Sequence, residues 1–176
     1  HDEMGKDFWK PKPPLAPIVS PLFYQLPALR VQKDEMTRQT AELVRPLKKS
    51  LDGYVEIGTT GRYVKGLTRA LALRGKVTLV HDEAPTNGPV DVIERGGLGK
   101  VGAFVPMGDY DPIAESAIPS ASVDLVSCFI GLHHITPEKL EPFVRSIHRV
   151  LRDGGIFVLR DHDVTDAKMD RMVSLA

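Results

Sequence analysis

Between a short apolar run and a helical pattern, Val55-Glu56-Ile57-Gly58-Thr59-Thr60-Gly61-Arg62-Tyr63 places a glycine-bearing turn at the exit of a strand. Such a turn can hold a ligand without any reactive side chain. Backbone amides at the start of the following helix attract an anionic or polar group, and glycine lets that group approach closely. The next β-branched run, Lys76 to His81, ends in Asp82 with Glu83 beside it. An acid at the end of the second strand, roughly 20 residues beyond the turn in dinucleotide binders, holds ribose hydroxyls. A plain tight strand-to-helix turn accounts for the same residues, so the pair nominates a nucleoside-type ligand without identifying it.

The groups able to exchange a proton near neutral pH are His133, His134 and His162, all at expected strand or helix ends. Against a basic role stands a structural one, in which one of the His133-His134 pair packs and the other bonds to backbone. Cys128 lies inside the apolar run Val123 to Phe129 and reads as a buried small hydrophobe rather than a nucleophile. A single cysteine excludes an internal disulfide framework and a cysteine-rich zinc site, and it fits a reducing, cytoplasmic setting.

Elements that could position these residues begin after Gly53. Gly53–Gly58, Lys76–His81, Ala103–Pro106, Val123–Phe129 and Gly155–Arg160 read as five strands, separated by helical patterns over Arg62–Arg74 and Pro137–Leu151. Alternation of that kind argues a parallel sheet covered on both faces. Leu140, Phe143, Val144, Ile147, Val150 and Leu151 form the inner stripe of the later helix, and Asp153-Gly154-Gly155 ends it. Asp163 or Thr165 is expected to cap a last helix. Residues 1–50 differ in texture. Six prolines from Pro11 to Pro27 exclude regular structure there and, with Phe8, Trp9, Phe23 and Tyr24, predict an extended apolar arm. A helix over Lys33–Leu51 follows, with Met36, Thr40, Leu43 and Leu47 on one face and Pro46 bending or ending it.

The chain has 176 residues, with 23 Lys and Arg against 23 Asp and Glu. That is the size of one ordinary domain, here divided into the arm with its helix (1–50) and the α/β body (51–176). A formal net charge of +0 supplies no general attraction to nucleic acid or to an acidic membrane. The apolar stretches are also shorter than the roughly 20 residues a membrane-spanning helix needs.

Four further blocks appear in order: Gly108-Asp109-Tyr110-Asp111-Pro112, Ser122-Val123-Asp124-Leu125-Val126-Ser127-Cys128, Gly131-Leu132-His133-His134, and Leu151 to Leu159. Together with the glycine turn they resemble the small-molecule branch of the class I S-adenosylmethionine-dependent methyltransferases, over Gly53 to about Asp163. The resemblance implies a Rossmann-like, doubly wound parallel sheet of strand order 3-2-1-4-5. It also implies S-adenosylmethionine as cofactor. Glu56 would then close the first strand as the family's acid, and Gly58, Thr59, Thr60 and Gly61 would contact the methionine part. Asp82, or His81 before it, would hold the ribose; Asp109, with Tyr110 beside it, would meet the adenine; backbone near Cys128 and Phe129 would line the cofactor. His133 or His134 would face the substrate.

The chain departs from the family pattern in the loop, which lacks the middle glycine and is one residue shorter, and in the eroded helix between the second and third strands. The family's sixth and seventh strands are expected beyond this sequence. Asp161-His162-Asp163 with His133 or His134 offers an alternative divalent-metal site like that of metal-dependent relatives, although the site expected here is metal-free. The function expected is methyl transfer to a small molecule. Two competitors are a methyltransferase-like scaffold without activity and a nicotinamide-binding oxidoreductase domain. Partners are expected to be the substrate and a second copy or a missing C-terminal segment, paired through the fifth strand or the arm.

Overall fold

A computed structural model describes residues 26–129 and 131–161, and the last expected helix with its cap, Asp163 or Thr165, lies outside them, as does nearly all of the arm. The elements are α1 (Leu26–Val44), β1 (Asp52–Ile57), α2 (Val64–Ala70), β2 (Arg74–His81), α3 (Pro89–Arg95), β3 (Ala103–Pro106), β4 (Val123–Cys128), a 3₁₀ turn (Leu132–His134), α4 (Pro137–Val150) and β5 (Leu151–Leu159). The five strands form one parallel sheet in the order β3-β2-β1-β4-β5, as the motif order implies.

Alternation along β1 divides the core. Tyr54 faces the layer of α1 and α2 with Leu79, Leu125 and Phe129, whereas Val55 and Ile57 face α4 with Val80, Val126 and Cys128. Both sides are buried, which is why these strands read as continuous apolar runs rather than alternating ones. At the N-terminal end of the sheet, the Asp124 carboxylate accepts from the Lys48 ammonium at 2.8 Å and from the Asp52 backbone N–H at 2.7 Å. This joins the end of the α1 region to β1 and β4, far from the edge where ligands bind.

Several boundaries differ from expectation. Helix α1 starts at Leu26 rather than Lys33, because Pro27 at the first helical turn has no hydrogen bond to lose there. Its inner face is Met36, Thr40, Ala41 and Val44; Leu43 and Leu47 are exposed, since the helix stops at Val44 before Pro46. Helix α2 covers only Val64–Ala70, and Ala72, at φ 48°, turns the chain into β2. At the other end, Leu151 ends α4 in extended geometry and is already in β5. Asp153-Gly154-Gly155 therefore lies inside the strand as an irregularity, and the β4 pairing skips from Val123↔Leu151 to Leu125↔Ile156. In α4, Phe143, Ile147 and Val150 are buried as expected, but Leu140 is half exposed.

Candidate active site

The strand order reverses direction between β1 and β4, and in open α/β sheets ligands bind outside the carboxyl ends of the strands at that point. An open hollow of about 320 Å³ lies there. Its lining comprises Gly58, Thr59, Arg62 and Tyr63 after β1, His81 and Asp82 at the end of β2, Met107 and Tyr110 after β3, and Phe129, Gly131 and His134 after β4. The volume falls within the roughly 300–1,000 Å³ of small-molecule sites.

The floor of this hollow is built by a buried acid. Glu56 is fully enclosed on the α1–α2 side of β1. Its carboxylate accepts from the Tyr54 hydroxyl at 3.0 Å, from the Thr59 hydroxyl, and from the Tyr63 backbone N–H at 3.4 Å. The Tyr54 hydroxyl lies 2.6 Å from Ser127 Oγ, which extends the network to β4. Burial pushes the Glu56 carboxyl above its usual range, against the opposing pull of the Thr59 and Tyr54 hydroxyls. Glu56 thus ties strand, loop and helix start together from beneath. It stabilises the loop conformation, in which Gly58 and Gly61 take φ of 84° and 97°, values that side-chain-bearing residues rarely adopt.

One wall comes from the turn after β3. Gly108, Asp109 and Tyr110 all have left-handed backbone, with φ of 61°, 54° and 61°. A helix side chain holds this uncommon conformation: Lys139 Nζ donates to the Asp109 carbonyl and to its carboxylate, both at 2.7 Å. The consequence is the placement of Tyr110, whose ring packs edge-on against Phe143 with centroids 5.5 Å apart. Its hydroxyl donates to the Gly131 carbonyl at 2.6 Å. Burial, with Cys128 and the carboxylates of Asp82, Asp161 and Asp109 nearby, pushes the phenol up to about 12.

Opposite stands the 3₁₀ turn. His134 lines the hollow, while His133 Nδ1 is 2.6 Å from Asp161 Oδ1 and its backbone N–H donates to Oδ2 at 3.1 Å. The two imidazoles are in contact, tilted at 46° with centroids 3.9 Å apart. At the end of β2, the His81 ring accepts from the Glu83 backbone N–H at 3.0 Å, which leaves the exposed Asp82 carboxylate facing the hollow.

Of the residues nominated from sequence, the fold therefore brings Gly58, Thr59, Asp82, Tyr110 and His134 onto one cavity. Glu56 lies beneath it, Thr60 and Gly61 lie behind the loop, and Cys128 is buried in the α4-side core. Asp109 points out to solvent toward Lys139 and His133 is engaged with Asp161. His162 lies outside the described residues. Among the described residues no cluster of three or more His, Cys, Asp or Glu forms a metal site; Asp161 is committed to His133, and Asp163 lies beyond them. Spacing did not single out Arg62, Tyr63 or Met107. Their only signal was adjacency, immediately after Gly61 in one case and before Gly108 in the other. Arg160, expected as the last residue of the fifth strand, lies just past β5 and reaches Met36 Sδ at 3.0 Å.

Residues 108–159, from the strained turn through β5, match a family described as a methyltransferase domain. This segment carries the wall of the hollow, and the strand order completes the architecture around it. An uncharacterized methyltransferase of Synechocystis sp. is 36% identical over 66 residues, which are 36% of this chain and 31% of that protein. In fold, the chain is similar to the sugar N-methyltransferase KedS8 of Streptoalloteichus sp., with a TM-score of 0.53 at 15% identity over 73% of this chain and 48% of that one. The chain thus spans about a third of the sequence relative and about half of the structural one. The shortened glycine loop is accommodated in this fold without closing the hollow, because Glu56 anchors it from below.

Proposed function

We propose that this protein transfers a methyl group from S-adenosylmethionine to a small molecule, using the hollow at the carboxyl ends of β1, β2 and β4. The observation that supports this most directly is the convergence of Gly58, Asp82, Tyr110 and His134, from four separate connections, on one open cavity. The residues fit a sulfonium nucleoside. Asp82 supplies a carboxylate for vicinal hydroxyls, Tyr110 and Phe129 supply aromatic surface for a base, and the Gly58 turn leaves backbone accessible. Gly131 also keeps the wall open, since a Cβ there would come within 3.3 Å of the Tyr110 hydroxyl.

When bound, the cofactor supplies an activated methyl carbon on a positively charged sulfur. The protein's own contribution is chiefly alignment, which by itself lowers barriers by several kcal/mol when reacting atoms are held in near-attack geometry. His134, at the rim, takes the proton from an acceptor that arrives protonated. His133 acts through it, fixed by Asp161 and in contact with the His134 ring. The open hollow supports this reading over a methyltransferase-like scaffold without activity.

Titration calorimetry with S-adenosylhomocysteine tests the proposal. We expect one site per chain, weakened roughly 10- to 100-fold by Asp82→Ala, equal to about 1.4–2.7 kcal/mol. Folded protein giving no heat would overturn it. With a substrate in hand, His134→Ala is expected to lower kcat by about 100-fold or more while leaving the homocysteine product's affinity unchanged.

A further inference from the structure

Helix α3 is inside out. Its apolar residues Val90 and Ile93 are 69% and 38% exposed, while Arg95, in the last turn, is 2% exposed. Amphipathic helices bury their apolar face, and a local violation of that rule marks a place where something other than packing is at stake. The buried guanidinium has only neutral hydrogen-bond partners, the Thr86 carbonyl at 2.6 Å and the Asn87 side-chain oxygen at 3.2 Å. Its Nε is buried with no partner among the described residues. The acid one turn earlier, Asp91, instead accepts from the Thr86 N–H and hydroxyl, at 2.5 and 2.8 Å. The neighbouring Asp91 carboxylate offers charge but no hydrogen bond, and a buried N–H left without an acceptor is costly.

Arg95 also lines a second hollow, of about 380 Å³, between α3, β2 and β3. It lies beside the seven-residue helix α3, and its other walls include Leu79, Pro85, Val101 and Phe104, with Lys100 at the side. It shares no lining residue with the cleft described above. The two are nevertheless neighbours: a Cβ on Gly61, in the loop after β1, would strike Val101 and come within 3.6 Å of Arg95 Cγ.

We propose that this second hollow binds an organic monoanion, a carboxylate carried on a flat apolar body. The Nε edge of a guanidinium presents paired N–H groups matched to a carboxylate, and the apolar walls exclude a fully hydrated ion. The anion supplies the acceptor that Arg95 Nε lacks. The site stands independently of the methyl-transfer reading, because it uses none of that cleft's residues.

Amide chemical-shift mapping on the full chain tests this, with benzoate as probe and benzamide and inorganic phosphate as controls. Saturable benzoate shifts are expected at Gly99, Lys100 and Val101, with at least tenfold weaker responses to benzamide and to phosphate. Arg95→Gln should weaken benzoate at least tenfold. Should that variant unfold, Lys100→Glu, at an exposed position, is expected to weaken benzoate at least fivefold in folded protein. Equal responses to benzoate and benzamide, stronger binding of phosphate, shifts centred on Gly58 to Tyr63, or binding unchanged in folded variants would each overturn the proposal.

Discussion

Glu56 shows how one buried carboxyl decides the shape of the loop bordering the cleft. Burial raises its pKa, so the folded state holds the proton more tightly than the unfolded chain does. The stability this contributes is complete below the unfolded value, near 4.5, and is lost as pH rises through the raised folded value. Glu56→Gln removes the titration. Comparing urea unfolding of the two proteins at stepped pH, we expect wild type to lose ground above pH 4.5 at up to about 1.4 kcal/mol per pH unit, while the variant stays flat over that window. Tyr110 offers a second residue-scale check. Its phenol is pushed up to about 12 and donates to the Gly131 carbonyl. Tyr110→Phe is therefore expected to delete a late step from the ultraviolet tyrosine titration and to cost about 1 kcal/mol in unfolding free energy, the worth of one such hydrogen bond.

At the scale of elements, the positions of α1 and α2 rest on a close approach. A Cβ at Gly66 of α2 would lie 2.5 Å from the Thr37 hydroxyl oxygen of α1. Helix propensity alone favours alanine over glycine by about 1 kcal/mol, yet overpacking costs typically 1–3 kcal/mol, so the clash wins. Gly66→Ala is expected to destabilise the protein, and Thr37→Ala in the same chain to restore most of the loss; thermal unfolding of the four proteins in a double-mutant cycle measures the coupling. The strained turn Gly108-Asp109-Tyr110 is the corresponding device on the opposite wall, held from α4 by Lys139. The turn after β3 is thus fixed by a helix, not by the loop that carries the residues.

At the scale of the molecule, the cleft collects residues from the connections after β1, β2, β3 and β4, so a ligand there bridges four separate segments of the chain. Binding to the folded state alone adds about 2.7 kcal/mol at a hundredfold excess over Kd. Melting followed by calorimetry or intrinsic fluorescence is expected to shift upward by roughly 5–10 °C with S-adenosylhomocysteine at that excess, and Asp82→Ala to abolish most of the shift at equal ligand.

The alternation of short β-branched runs with helical stripes was sufficient, by itself, to imply a parallel sheet with both faces covered, whereas its strand order was implied only by the family resemblance of the blocks. The first of these features is written in local periodicity. Gly58, Thr59, Asp82, Tyr110 and His134 were legible for the same reason, since the carboxyl ends of parallel strands share one edge. Tertiary structure decided what local pattern does not encode. Whether Glu56 faces a ligand or the core depends on which side of β1 the helices cover, and Asp109 turns outward only because Lys139 of α4 holds its backbone left-handed. Arg95 carries no local signal of its burial, which belongs to α3, β2 and β3 packed together and to no residue alone.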